Sequence, residues 1–240
     1  MRKAVILAVA AAAVAASGCT AARSESAGPV VERDYRVGGF DRMELAGAYD
    51  VSVRTGPAPS VHARGNQRTI DRLVVEVKDG ILLIHPKERH GFTWSNHEGE
   101  VRLDVTVPSL RGVELAGSGD IRVDRVKGDR FDGNIAGSGN LRLENIEVGA
   151  LKLGISGSGN ANALSGRAQS ADYSIAGSGG IDARGVQVQT ASVSVAGSGD
   201  VAAHASGTAA VSIVGSGDVE MTGGARCSVS RAGSGEARCS

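Results

Sequence analysis

Asp120, Asn140, Asn160, Gly180, Asp200, Asp218 and Glu236 stand at one equivalent position, two residues after the serine of successive Gly-Ser-Gly triplets. Oxygen donors recurring at one position of a stacked fold are what a calcium ladder needs, as in Gly- and Asp-rich secreted repeats. Asp200, Asp218 and Glu236 are the strongest candidates for such a ligand set. A simpler chemistry competes: Asp and Asn close tight corners through side-chain hydrogen bonds to nearby backbone. Asn and Gly interrupt the column, and stacked carboxylates without cations repel. Corner closure is therefore favoured, and no metal or other cofactor is expected.

The serines invite a second chemistry, because Gly-x-Ser-x-Gly presents a hydrolase nucleophile. That motif needs a different spacing and a single copy, whereas the triplet here is repeated, so no catalytic residue is assigned. Arg122, Asp124, Arg125, Asp129 and Arg130 form the nearest approach to a carbohydrate-active cluster, but alternating charges on a solvated strand account for them. His85, His90 and His97 lack the spacing of a compact metal site. Between Pro86 and Gly99 the chain reads PKERHGFTWSNHEG, without apolar period. Phe92 and Trp94 in this loop either contact a sugar or protein ligand or fold back over the end of the core.

The elements that must position these residues follow from the triplets. They are Gly117-Ser118-Gly119, Gly137-Ser138-Gly139, Gly157-Ser158-Gly159, Gly177-Ser178-Gly179, Gly197-Ser198-Gly199, Gly215-Ser216-Gly217 and Gly233-Ser234-Gly235. Steps of 20 residues, then 18, mean one supersecondary unit stacked on itself. Around each serine, apolar residues fall at −5, −3, +3 and +5, the alternation of half-buried strands. Leu115, Ile135, Ile155, Ile175, Val195 and Ile213 are expected to pile into one interior column. The unit is thus strand, corner, strand and a less regular return. Glycine meets the corner's demand for positive φ or close backbone approach, and the serines are expected to bond between rungs. The expected fold is all-β, a single-stranded parallel β-helix with rungs of about 18–20 residues.

Residues 35–110 lack the triplet but contain Leu45-Ala46-Gly47-Ala48-Tyr49-Asp50, a worn copy of the corner, and are expected to supply the first rungs and a cap. Residues 111–240 carry the repeats. The start of the chain reads as an export signal over 1–18: Arg2 and Lys3, then an apolar run over 4–16, too short to span a membrane. Ala16-Ser17-Gly18-Cys19 is similar to a bacterial lipobox, making Cys19 the lipidation site; the alternative is ordinary cleavage near Ala21-Ala22. Residues 19–34 read as a flexible tether. In an oxidising compartment Cys227 and Cys239 are expected to pair and staple the final rung, leaving Cys19 to the lipid; two free thiols near a frayed end are the alternative.

Composition narrows the partners. Lys plus Arg and Asp plus Glu each number 26, so there is no basic stripe and nucleic acid is not expected. Glycine supplies 35 of 240 residues and aromatics only 3%, so the core rests on Val, Ile, Leu and Ala.

The lipobox, Phe40-Asp41-Arg42-Met43-Glu44-Leu45, Thr106-Val107-Pro108-Ser109-Leu110 and the seven corners together resemble the bacterial auto-transporter adhesin head, GIN domain, family over residues 36–240. The resemblance implies a right-handed β-helix outside the cytoplasm, with no catalytic residues to carry over. Self-export through a barrel is not expected. The expected function is a non-enzymatic, lipid-anchored outer-membrane protein whose faces bind or scaffold, the partner being the membrane and an envelope protein or glycan. A carbohydrate-active β-helix enzyme, lyase- or hydrolase-like, or a glycan-binding module is the alternative. No oligomeric state is indicated.

Overall fold

The computed structural model describes residues 29–87 and 100–240, which form a β-solenoid of about six turns. The strands are β1 (Val30–Tyr35), β2 (Arg42–Gly47), β3 (Asp50–Thr55), β4 (Ser60–Asn66), β5 (Leu73–Lys78), β6 (Ile81–Pro86), β7 (Val101–Val107), β8 (Gly112–Gly117) and β9 (Asp120–Gly137). They continue as β10 (Asn140–Gly157), β11 (Asn160–Ala163), β12 (Gly166–Gly177), β13 (Gly180–Gly197), β14 (Asp200–Gly215), β15 (Val219–Thr222), β16 (Arg226–Gly233) and β17 (Ala237–Cys239). One short helix, α1 (Gln67–Ile70), follows β4, capped by Asn66 Oδ1, which accepts from the Arg68 N–H at 2.9 Å.

The repeats stack in parallel and in register. Leu115, Ile135, Ile155, Ile175, Val195 and Ile213 face one another from rung to rung, and each is at most 2% exposed. Burying each such side chain is worth about 1.5–3 kcal/mol, and no rung can bury its own without a neighbour. The return is more regular than its sequence suggests. β9, β10 and β13 run unbroken through it, with Val126, Ile146 and Val186 buried along its inner side. The change of step from 20 to 18 is absorbed there, where β13 and β14 shift register between Ala183 and Thr190.

The corners need glycine for two reasons. Gly177, at φ +136°, holds a conformation that side chains avoid, and a Cβ there would overlap the Gly157 carbonyl of the preceding rung. Gly179 has no such φ, but its Cβ would overlap the Gly159 carbonyl and lie 2.8 Å from Ile155 Cγ2. Consecutive rungs therefore touch backbone to backbone at this edge.

The N-terminal part winds differently. β2 and β3 form a rung joined by Gly47-Ala48-Tyr49, with Gly47 paired to Gly117 and Tyr49 buried under the corner. This rung is inserted between β6 and β7 on one side and β8 and β9 on the other. The parallel stack stops at β6 and β7. β5 returns antiparallel on β6, β4 pairs antiparallel with β7, and β1 pairs antiparallel with β4. Residues 30–34, expected within the tether, lie instead in β1, where Val31 and Tyr35 pack against the core. Sequence reasoning missed this because three charges, Glu32, Arg33 and Asp34, mask a strand whose energy comes from its ladder with β4. Glu32 pairs with Arg64 at 3.7 Å, and Asp34 with His62 Nδ1 at 2.7 Å.

At the opposite end, Cys227 and Cys239 are joined by a disulfide, with Cα atoms 6.6 Å apart. They stand below Ala209 and Met221, both inward-facing. Arg231 occupies the position of Ile213 in the rung above. An inward-pointing charge on an edge strand opposes addition of a further strand.

Candidate functional site

Strand residues after each corner alternate inward and outward, so the positions two and four beyond the serine form two parallel rows on one open sheet face. The first row runs Asp50, Asp120, Asn140, Asn160, Gly180 and Asp200 in direct register, continuing to Asp218 and Glu236. The second runs Ser52, Arg122, Arg142, Asn162, Asp182, Ala202, Glu220 and Arg238.

The first row is knitted together by its own side chains. Asp120 Oδ1 accepts from the Asn140 N–H at 3.2 Å and from Asn140 Nδ2 at 2.8 Å. Asn140 Oδ1 in turn accepts from Asn160 Nδ2 at 3.1 Å. Asp200 and Asp218 each accept the backbone N–H of the next rung's row member at 2.9 Å. The corner-closing role thus fits these residues, with one refinement: the bonds reach the following rung. Asp200 and Asp218 spend oxygens on this ladder, Glu236 spends one on Arg238, and among the described residues no group of three or more His, Cys, Asp or Glu is arranged to hold a metal ion.

Where Gly180 and Ala202 supply little side chain, the face sinks into an open trough of about 530 Å³. Asn160, Asn162, Asp182, Asp200, Asp218 and Glu220 wall it, and the Glu236–Arg238 ion pair at 2.7 Å closes its lower end. The Arg184 guanidinium, bonded to Asp182 at 2.6 Å, holds that carboxyl below its ordinary range. At the other end of the row, burial raises the Asp50 carboxyl, with the Asp120 and Glu100 charges adding to the effect. The trough is a set of carboxylate acceptors and amide donors on a rigid floor, suited to hydroxyl-bearing or cationic groups. Sequence reasoning found its first row. Asn162, Asp182 and Glu220 were missed, although their shared place four residues after the serine was the available signal.

The other candidates separate. Arg122 bonds Glu144 at 2.9 Å, and Asp124 accepts from the Thr55 N–H at 3.1 Å, on the trough's face. Thr55 Oγ1 also reaches the Arg125 carbonyl at 3.3 Å. Arg130 lies beyond the return, forked onto Asp132 at 2.8 Å. The structure does not bring Arg122, Asp124, Arg125, Asp129 and Arg130 into one constellation. The corner serines are exposed, and rungs join through their backbone: the Ser138, Ser158, Ser178 and Ser198 N–H groups donate to the glycine carbonyl above at 2.9 Å. Their hydroxyls make no inter-rung bond, which corrects the expected serine ladder: the strand geometry already supplies the donor. His85 Nδ1 lies 3.0 Å from the Pro86 carbonyl. Cys19, His90, Phe92, Trp94 and His97 lie outside the described residues.

Solved structures share this architecture. An adhesin of Bacteroides fragilis, described as putative, superposes with a TM-score of 0.80 at 21% identity, covering 88% of this chain and 97% of its own. A Parabacteroides distasonis protein described as a putative lipid binding protein matches with a TM-score of 0.71 at 26% identity, over 89% of this chain and 97% of its own. A second P. distasonis protein, again a putative adhesin, gives 0.75 at 20% identity, over 89% and 98%. No curated protein matches the sequence. The family described as "Putative auto-transporter adhesin, head GIN domain" matches residues 39–225, and the chain belongs to it.

Proposed function

We propose that the protein is a non-enzymatic, lipid-anchored component of the bacterial outer membrane that binds glycan hydroxyls in the trough on its carboxylate and amide face. The observation that carries this reading is the trough itself: amides and carboxylates at fixed rung spacing over the floor of Gly180 and Ala202. Sugar hydroxyls pair with such donor and acceptor arrays, and the sheet beneath holds the array in place without an ordering cost. Family membership and the adhesin-like neighbours support a binding role. Cys19, followed by residues 20–29 before β1, supplies the anchor and a short spacer. Glycan-array binding run beside lyase and hydrolase assays tests the reading. Binding that falls at least tenfold in Asn162→Ala/Asp182→Ala, without turnover, is expected; turnover of any bound glycan, or binding indifferent to both changes, overturns it. Metabolic labelling with a fatty acid should mark the wild type and not Cys19→Ala.

A further inference from the structure

The trough's lower wall is thinly supported. Glu236 and Arg238, whose ion pair closes it, sit just before and within β17. Among the described residues β17 pairs with β15 alone, over three residues, and Arg238 and Cys239 are exposed. Little apolar area therefore holds it down. Two hydrogen bonds join the wall to the trough: the Val219 N–H donates to the Glu236 carbonyl at 2.8 Å, and the Glu236 N–H donates to Asp218 Oδ1 at 2.9 Å. At the other end of β17 the Ser240 N–H donates to the Met221 carbonyl, and the Gly224 N–H to the Ser240 carbonyl, both at 2.9 Å. β16, by contrast, lies along eight residues of β14. The Cys227–Cys239 disulfide ties the weak strand to the strong one across 12 residues of sequence. Between them the Gly235 N–H is fixed to the Gly215 carbonyl at 3.1 Å, so a freed β17 pivots beyond Gly235.

We propose that this disulfide is a redox-controlled catch on the trough: reduction by a dithiol releases β17, opens the lower end and weakens binding there. The inference rests on the trough being the binding site. Cys239 is exposed and Cys227 half-buried, so a thiolate reaches the bond from the open end of the stack. It attacks the Cys239 sulfur; the S–S bond breaks, and Cys227 leaves as a thiolate and takes a proton. The reductant's second thiol then displaces Cys239 from the mixed disulfide. Two electrons and two protons pass to the protein, and the reductant closes into its own disulfide. With the bond intact, a detached β17 stays tied to β16 and explores little space. Without it that restriction is gone, and opening is favoured by roughly a hundredfold. Opening is local, because only the neighbouring rung touches β17. It withdraws the Arg238 guanidinium from the trough, leaves Asp218 Oδ1 without its donor and exposes the Val219 N–H to solvent.

The test compares the full chain, oxidised and after reduction with dithiothreitol, by hydrogen exchange and on one glycan array. Exchange at the Val219 amide should quicken roughly a hundredfold on reduction. Val201, whose N–H donates to the Asp218 carbonyl one rung higher at 2.9 Å, should change by less than about threefold. Cys227→Ser/Cys239→Ser should match the reduced protein with or without dithiothreitol. Array binding should fall about tenfold on reduction, as loss of one charge-assisted hydrogen bond requires. Arg238→Ala should weaken binding in the oxidised protein while Val219 stays protected, which separates the wall from the strand. Unchanged exchange at Val219, or equal quickening at Val219 and Val201 as the rungs melt together, overturns the catch. Equal array binding in the two redox states overturns its control of the trough while the glycan reading stands. An array bound by neither state overturns the glycan reading, and the exchange ratio alone then decides the catch.

Discussion

Replacing Gly177 by alanine should cost far more than a methyl group ordinarily does. Its φ of +136° belongs to a region that is nearly glycine-only, and holding another residue there costs about 1–3 kcal/mol. The added Cβ would also overlap the Gly157 carbonyl, the acceptor for the Ser178 N–H at 2.9 Å. Relief requires lifting one rung from the next, which forfeits that bond, about 1 kcal/mol, and loosens the Ile155–Ile175 contact beside it. The total is about 3–5 kcal/mol. At roughly 2–4 °C per kcal/mol for a domain of this size, Tm should fall by about 10 °C or more in a circular dichroism melt. Ser178→Ala, one residue away, removes an exposed hydroxyl with no inter-rung bond and should stay within about 0.5 kcal/mol. Equal melting temperatures for the two variants would refute the claim that backbone contact at the corner sets the rung spacing.

Three further outcomes test separate parts of the structure. Tyr173, fully buried with no partner for its hydroxyl, has its phenol pushed upward by burial, and Tyr173→Phe should stabilise by about 1 kcal/mol in a denaturant titration; a loss would reveal a bonded hydroxyl. Cys227→Ser opens a loop whose closure is worth about 3 kcal/mol, and because rungs contact only their neighbours, hydrogen exchange should quicken at Ser228 and Ser230 while Ile155 and Ile175 keep their protection. Uniform loss of protection would contradict the nearest-neighbour picture. The hydrogen bond to Asp34 raises the His62 pKa above its ordinary 6.5, with the Glu32 and Asp104 charges adding to it. That contribution is complete below the ordinary histidine value and is lost as pH rises through the raised one. Protection of the Asp34 amide, corrected for intrinsic exchange, should therefore drop as pH rises past the ordinary histidine value and through the raised one, and His62→Asn should abolish the change.

The repeat region was legible because every level agreed: triplet period, apolar alternation and glycine corners all specify the same stack. The inward column through Ile135 and Ile175 and the partner of Cys227 could be placed by counting from a serine. The N-terminal rungs were not countable. Their order in space departs from their order in the chain, because β2 and β3 slot between later strands through pairings with no local signature. β1 was hidden for a related reason, its stability lying in a ladder with β4 rather than in its own composition. In the candidate site, the first row announced itself by residue type. The trough did not, because it is made by two residues that are nearly absent, Gly180 and Ala202. A depression follows from missing side chains only once neighbouring rungs are known to align.

Nitroxide pairs measured by electron double resonance test the stack most directly. One label stays at Ser118 and the other moves through Ser178, Ser198 and Ser216, all exposed. With rungs ~4.8 Å apart, the mean separation should climb by that increment per repeat, reaching about 24 Å at Ser216. Distances that scatter, or that fail to grow with repeat number, would contradict the solenoid.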